Sequence, residues 1–183
     1  TLYSVTVTSS DGCSSTASLN VVVNPLPSPV ITGDFEICIG QSTALTASGG
    51  MSYEWSTGEF GPTITVSPLV STTYLVMAMD ENGCMEYTSA LVVVNPLPVP
   101  ILTGDNEICL GESTVLTATG GTGFLWSTGS IESIITVSPT ISSNYTVTVT
   151  DSNGCSASTA MDVTVNPLPV AIISGNTTFC TGA

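Results

Sequence analysis

The chain contains no lysine, arginine or histidine, although 14 of its 183 residues are aspartate or glutamate. Nucleic acids and anionic lipid surfaces are bound through cationic side chains, so the sequence argues against both as partners. The imidazole and amine groups that usually act as general bases or nucleophiles are also missing, and nothing else activates the many serines and threonines. We therefore expect no catalytic residues. No apolar run is long enough to cross a bilayer, so no membrane insertion of this segment is expected.

What the chain does contain is a repeat of constant spacing. The stretch Val-Asn-Pro-Leu-Pro occurs at 23–27, 94–98 and 165–169, and the cysteines follow the same repeat period. Two whole units cover 28–98 and 99–169, residues 1–27 correspond to the C-terminal strands of a preceding repeat, and residues 170–183 correspond to the first strand of a following one. Each proline fixes φ and lacks an N–H, so the strand must end there and the spacer between units is stiff. The pattern predicts beads on a short rigid string.

Each unit is a series of short segments in which apolar and polar residues alternate. The clearest, Tyr145–Thr150, has strict period two and is followed by Asp-Ser-Asn-Gly, in which Asn153 and Gly154 are expected to supply the positive φ values of a tight hairpin. Seven or so short strands, no helical period and one tryptophan per unit predict an all-β sandwich. The residues expected in the core are Trp55, Trp126, Tyr74 and Tyr145.

Three motifs resemble a known repeat type. They are Ile-Cys-x-Gly-x-Ser-Thr-x-Leu-Thr-Ala at 37–47, Trp-Ser-Thr-Gly at 55–58, and Thr-Tyr-x-Val-x-x-x-Asp-x-Asn-Gly-Cys at 73–84. Together they resemble the Ig-like and PKD-like repeats of very long bacterial cell-surface proteins, such as adhesins and gliding-associated filaments exported by the type IX secretion route. The resemblance covers the whole chain. It implies tandem Ig-like (PKD-like) β-sandwich domains, an extracellular location and mainly a stalk role.

Six cysteines without any histidine predict disulfides rather than a zinc site, and hence an oxidising, extracytoplasmic compartment. The resemblance favours one bridge within each unit, Cys38–Cys84 and Cys109–Cys155. Strand geometry argues against these bridges, because Cys38 and Cys84 are expected near opposite ends of a sandwich. The alternative bridges span the spacers and join the two cysteines that flank each one: Cys13–Cys38, Cys84–Cys109 and Cys155–Cys180. The sequence leaves both schemes open.

The candidate metal ligands are the side-chain oxygens of the hairpin turns, which suit calcium. They belong to Asp80, Asn82, Asp151 and Asn153. The same residue types are typical of turns without any metal, and no other cofactor is indicated.

We interpret the chain as a structural segment of an extracellular filament or adhesin stalk, at the cell surface or secreted. Its expected partners are the neighbouring repeats of the same chain. Exposed apolar residues such as Leu91, Val93 and Leu125 suggest lateral self-association into a fibre. The alternative function is a carbohydrate-binding or cell-adhesion module whose sandwich loops bind a ligand, with Phe60 as the one aromatic loop candidate.

Overall fold

The structure of the chain is a computed structural model that describes residues 1–175, and every regular element in this range is a β-strand. Cys180 and most of the predicted following repeat (170–183) lie outside the described residues. The described strands are β1 (Leu2–Thr8), β2 (Ser14–Asn20), β3 (Val30–Thr32), β4 (Glu36–Cys38), β5 (Thr43–Ser48), β6 (Ser52–Trp55), β7 (Thr63–Val66), β8 (Thr72–Met79), β9 (Met85–Asn95), β10 (Ile101–Thr103), β11 (Glu107–Cys109), β12 (Thr114–Thr119), β13 (Gly123–Trp126), β14 (Ile134–Val137), β15 (Ser143–Thr150) and β16 (Ser156–Asn166).

Strands β3 to β9 form one sandwich and β10 to β16 form a second. In the first, a three-stranded sheet of order β3-β5-β7 faces a four-stranded sheet of order β4-β9-β8-β6. The second repeats this order as β10-β12-β14 and β11-β16-β15-β13, with every strand boundary displaced by one repeat period. Seven strands arranged in this way are an Ig-like β-sandwich, so the predicted fold class is confirmed. The chain separates into two compact units, with the boundary between Val94 and Asn95.

The core of each sandwich comes from the period-two alternation of the strands. On β5 the side chains of Thr43, Leu45 and Ala47 point inward and the intervening residues are exposed. Trp55 and Trp126 are each only 2% exposed. Their indole N–H groups donate to the carbonyl oxygens of Gly61 (3.0 Å) and Glu132 (2.7 Å), which removes the cost of burying a donor. The remaining buried members of the first core are Ile37, Ile64, Val66, Tyr74, Val76 and Val92, and Tyr145 packs against the second core while partly buried.

The hairpin turns differ from the expected tight form. Asp151 N donates to the Cys155 carbonyl oxygen at 2.9 Å, so Ser152, Asn153 and Gly154 form the loop. Among the described residues no residue other than glycine has positive φ, and Gly154 has φ 80°. The loop is therefore the three-residue type with glycine in the left-handed region, in which the asparagine keeps an ordinary φ.

Residues 1–20 form a two-stranded hairpin equivalent to β8–β9 and β15–β16. β1 pairs with β2 from Leu2 opposite Asn20 to Thr8 opposite Ser14. Tyr3 and Val5 are 61% and 59% exposed, whereas their counterparts Tyr74 and Val76 are buried. The difference arises because the other five strands of a sandwich do not accompany this hairpin. The interpretation of residues 1–27 as the end of a preceding repeat stays a prediction.

Candidate functional site: the two ends of each sandwich

One end of each sandwich is where the chain leaves it. In the second sandwich β11 pairs in parallel with the last residues of β16, so that Cys109 lies opposite Asn166. Leu110 N donates to the Asn166 carbonyl oxygen at 2.9 Å. The first sandwich has the same arrangement, since β4, which ends at Cys38, neighbours β9. One cysteine therefore marks the end from which the Asn-Pro-Leu-Pro spacer departs.

The opposite end is where the chain enters, and a Gly-Gly loop holds it there. A Cβ at Gly49 would collide with the Ser28 carbonyl oxygen, and a Cβ at Gly120 with that of Val99. Both glycines also have positive φ, 88° and 107°, so no other residue suits either position. On its other side the loop touches the end of the hairpin strand, because a Cβ at Gly121 would lie 2.5 Å from the Thr150 carbonyl oxygen. The entering segment, the loop and the hairpin end are therefore adjacent.

The spacer that precedes the first sandwich contacts this end. Pro27 is buried. Pro25 lines a shallow groove together with the loop at 49–51 and the hairpin turn at 80–82. Because each proline has a fixed φ, a spacer packed in this way has little freedom to change direction.

In both hairpin turns, the aspartate among the candidate metal ligands already accepts backbone hydrogen bonds. Asp80 Oδ1 accepts hydrogen bonds from the backbone N–H groups of Asn82 (2.9 Å) and Cys84 (2.8 Å). Asp151 accepts the equivalent two bonds, both at 2.9 Å. Desolvation raises the pKa of Asp80, but these N–H bonds and one from the Asn82 side chain outweigh it and lower the pKa below its ordinary value. In the described part of the chain, no group of three or more His, Cys, Asp or Glu side chains could hold a metal ion.

The cysteines follow neither expected scheme. Cys38 and Cys155 are disulfide-bonded, whereas Cys13, Cys84 and Cys109 have free thiols. The within-unit bridges Cys38–Cys84 and Cys109–Cys155 are therefore contradicted, and so are the spacer bridges Cys13–Cys38 and Cys84–Cys109. The third spacer bridge, Cys155–Cys180, includes a residue outside the described range.

The geometry explains why a bridge within the unit cannot form. Cys155 precedes the first residue of β16 and Cys109 lies beside its last residue, so about 11 strand residues, or roughly 36 Å, separate them. A disulfide needs Cα atoms within about 7 Å. The expectation that the two cysteines lie at opposite ends of a sandwich was correct, and the pairing drawn from the resemblance was wrong.

The outer faces of the two four-stranded sheets differ in polarity. In the first sandwich Leu75, Tyr87 and Leu91 are exposed on β8 and β9, and the equivalent positions in the second hold Thr146, Ser158 and Asp162. Leu125, exposed on β13, stands where the first sandwich has Glu54. Val93 is half-buried. The loop aromatic Phe60 is 76% exposed.

In the described residues, the two ends of each sandwich carry carboxylates, hydroxyls and thiols, and the chain has no cationic or imidazole side chain to accompany them. The described residues also form no helix of the length and hydropathy needed to cross a membrane.

No protein-family model matches the chain, and no curated protein matches its sequence. Among solved structures, a Ca²⁺-stabilised adhesin that helps an Antarctic bacterium to bind ice has 16% identity and a TM-score of 0.49, and the match covers 93% of this chain and 58% of that one. A 1.5-MDa bacterial ice-binding adhesin has 16% identity and a TM-score of 0.41, covering 90% and 74%. Immunoglobulin domains 1–4 of Sidekick-1 have 16% identity and a TM-score of 0.35, covering 90% and 58%. The chain thus spans little more than half the length of two of these proteins, and likenesses of this strength say nothing about ligand or activity.

Proposed function

We propose that the chain is a structural segment of an extracellular filament or adhesin stalk, in which tandem Ig-like sandwiches and stiff spacers produce length. The observation that carries the proposal is the packing of the proline spacer on the sandwich that follows it. Pro27 is buried, and Pro25, although exposed, lines a shallow groove together with both end loops. A spacer held in this way transmits orientation from one repeat to the next, which a flexible linker does not.

The charge of the chain also supports a mechanical role. All 14 ionisable side-chain carboxyl groups have the same sign and no side-chain cation opposes them, so neighbouring repeats repel each other and an extended form is favoured. Trypsin has no lysine or arginine to cut after, which suits a polymer exposed outside the cell. The proposed partners are the neighbouring repeats of the same chain.

Electron microscopy of a longer chain of these repeats tests the proposal. The 11-residue strand β9 is about 36 Å long, and the spacer adds only a short length, so we expect straight rows of beads about 40–50 Å apart. Compact or randomly coiled particles would contradict the stalk role.

Copies of the chain are further proposed to associate laterally through the apolar outer face of β8 and β9. The second repeat supplies the matched replacements for this face, Tyr87→Ser and Leu91→Asp. Sedimentation velocity should show weak self-association at high concentration that this double variant abolishes and that Leu69→Ser, at an exposed loop position, leaves unchanged. Equal sedimentation of all three proteins at every concentration would remove lateral association from the proposal.

The second candidate function is carbohydrate binding by the loops, which the exposure of Phe60 favours because sugars stack on aromatic rings. A glycan array of residues 1–183 tests it, with Phe60→Ala as the control. Reproducible binding to one glycan that is lost in Phe60→Ala would replace the stalk by a binding module.

A further inference from the structure

We propose that one edge of β9, over residues 85–91, binds an extended cationic segment of another protein, which pairs with β9 as an added strand where β4 does not reach. The site lies wholly within the first sandwich. It uses backbone groups at the edge of the sheet rather than side chains on the outer face of β8 and β9. The inference does not rest on the stalk proposal, because binding at this edge does not require the repeats to be held in line.

Strand β9 is much longer than the strand beside it on this edge. It has 11 residues and pairs with β8 on its other edge over 85–92, whereas β4 has only three residues. The Val93 N–H donates to the Phe35 carbonyl oxygen at 2.8 Å, which places β4 beside the last residues of β9. Among the described strands β4 is the only neighbour on this edge, so the edge is open over 85–91.

The hydrogen-bonding groups on the open edge follow from the alternation of a strand. The Val93 N–H points to β4, and the Val94 N–H donates to the hydroxyl of Ser71, which directly precedes β8, at 3.0 Å. Successive N–H groups therefore point to opposite edges. Counting back from Val93 in steps of two, the residues whose N–H and C=O groups point to the open edge are Tyr87, Ser89 and Leu91.

The other three edges of the first sandwich are protected against pairing. The loop after β6 covers that strand, since the Trp55 N–H donates to the Glu59 carbonyl oxygen at 2.9 Å. Strand β7 lies between Pro62 and Pro68, and β3 has only three residues. Covering loops, prolines and short strands are the usual means by which sheet edges are kept from pairing. The open edge of β9 contains no proline and one charged residue, Glu86.

A groove runs beside the open edge and has room for a strand. It is lined by 88–91 of β9 on one side and by 29–31 and Phe35 on the other. Phe35 is 37% exposed, and Ile31 and Ala90 are only half-buried. A segment of about seven residues, roughly 23 Å long, matches the open length of β9, and apolar residues at alternate positions would cover these side chains.

Charge at the groove selects the kind of segment. Glu86 Oε1 accepts the Tyr87 N–H at 3.0 Å, so this carboxylate is held at the open edge. Asp34 and Glu36 flank Phe35 on the other side of the groove. A lysine or arginine of an incoming strand can pair with these carboxylates. A second copy of this chain offers no cation to them, and its net charge of −14 opposes its approach. The occupant is therefore a different, cationic protein segment.

Fluorescence anisotropy of residues 1–183 with the labelled peptide Lys-Val-Thr-Val-Thr-Val-Lys tests the proposal. One matched peptide has glutamate in place of both lysines. Another is N-methylated at every residue between the lysines, which keeps the charge and removes the backbone donors. We expect saturable binding of the first peptide and roughly tenfold or weaker binding of the other two. Equal binding of the N-methylated peptide would show attraction without strand pairing and would overturn the proposal, as would the absence of saturable binding by the first peptide.

Two variants locate the charge that matters, and the second repeat supplies both replacements. Glu86→Ala introduces the residue found at Ala157, and the matched control Glu59→Ser introduces the residue found at Ser130 and removes a carboxylate near the opposite edge of the sheet. Glu86→Ala should weaken binding of the lysine peptide about two- to fivefold, and Glu59→Ser should leave it unchanged. Equal weakening by both variants would mean that net charge, and not this edge, attracts the peptide.

Amide hydrogen exchange measured by NMR gives a readout that does not depend on any variant. The peptide should slow exchange at Tyr87 and Ser89, whose N–H groups face the open edge. Exchange at Thr88 and Ala90 should stay the same, because these residues face β8 and already pair with it. Uniform slowing, or none, would contradict strand addition. Slowing at Tyr87 and Ser89 in the protein alone as its concentration rises would identify a second copy as the occupant and contradict the cationic segment.

Discussion

Replacing Gly49 by alanine tests whether the spacer is held on the sandwich, and Gly58 provides a matched control. The two glycines have nearly the same backbone conformation, with φ of 88° and 84°. A Cβ at Gly58 meets nothing within 4 Å, whereas a Cβ at Gly49 collides with the Ser28 carbonyl oxygen. The two variants therefore share the cost of forcing alanine into the left-handed region and differ in the contact with the chain that enters the sandwich.

The magnitude of the difference follows from what Gly49→Ala must displace. Alanine at positive φ costs about 1–2 kcal/mol in both variants, partly offset by the lower entropy of the unfolded chain. Moving Ser28 away also withdraws Pro27, which is buried. The three buried methylene groups of Pro27 contribute about 0.8 kcal/mol each to the unfolding free energy. Gly49→Ala should therefore lower the unfolding free energy by about 2 kcal/mol more than Gly58→Ala does. This corresponds to roughly a thirtyfold difference in the unfolding equilibrium constant.

Urea unfolding followed by fluorescence measures both values. In a Trp126→Phe background the signal comes from Trp55 and reports on the first sandwich. Equal losses of unfolding free energy in Gly49→Ala and Gly58→Ala would refute the reasoning, because they would show that the entering segment moves aside at no cost.

Three further predictions concern the core and the hairpin turn. Leu116→Ala should lower the unfolding free energy of the second sandwich by about 2–5 kcal/mol, since Leu116 is fully buried, while Val115→Ala on the exposed face should change it by less than about 0.5 kcal/mol; thermal unfolding checks both. The pKa of Asp80 is lowered in the folded state, so its stabilising effect is present above about pH 4 and is lost as the pH falls below that value. Asp80→Asn should therefore weaken the dependence of the unfolding free energy on pH in the acid range. A pH dependence equal to that of the parent protein would contradict the stabilising role of the Asp80 carboxylate. Millimolar calcium should not raise the melting temperature, because Asp80 Oδ1 already accepts two backbone N–H groups, and a clear rise would restore the turns as calcium sites.

Much of the fold was predictable because the repeat makes every pattern visible more than once. The alternation at Leu45 and Ala47 recurs at Leu116 and Ala118, and all four side chains are buried. One strand with this pattern does not by itself show which of its faces is buried. The same pattern at equivalent positions of two units indicates the same inward face in both. The displacement of every strand boundary by one repeat period is the structural counterpart of that repetition.

The failure of the two disulfide schemes was not predictable from the sequence, because the outcome depends on which strands become neighbours. The parallel pairing of β11 with the end of β16 places Cys109 beside Asn166, and no local pattern encodes a neighbour so distant along the chain. The resemblance supplied a pairing that this strand order forbids. The turn type was missed for a smaller reason, since Asn-Gly is typical both of the two-residue turn and of the three-residue loop that ends in a left-handed glycine. The hydrogen bond between Asp151 and Cys155 and the positive φ of glycine alone distinguish them.

Residual dipolar couplings measured on residues 28–169 test the central claim, which is that successive sandwiches keep a fixed orientation across the spacer. If the joint is rigid, couplings from 28–94 and from 101–166 fit one alignment tensor with the same magnitude and axes. Two tensors of clearly different magnitude would mean that the repeats tumble independently, and the account of the chain as a stiff stalk would fail.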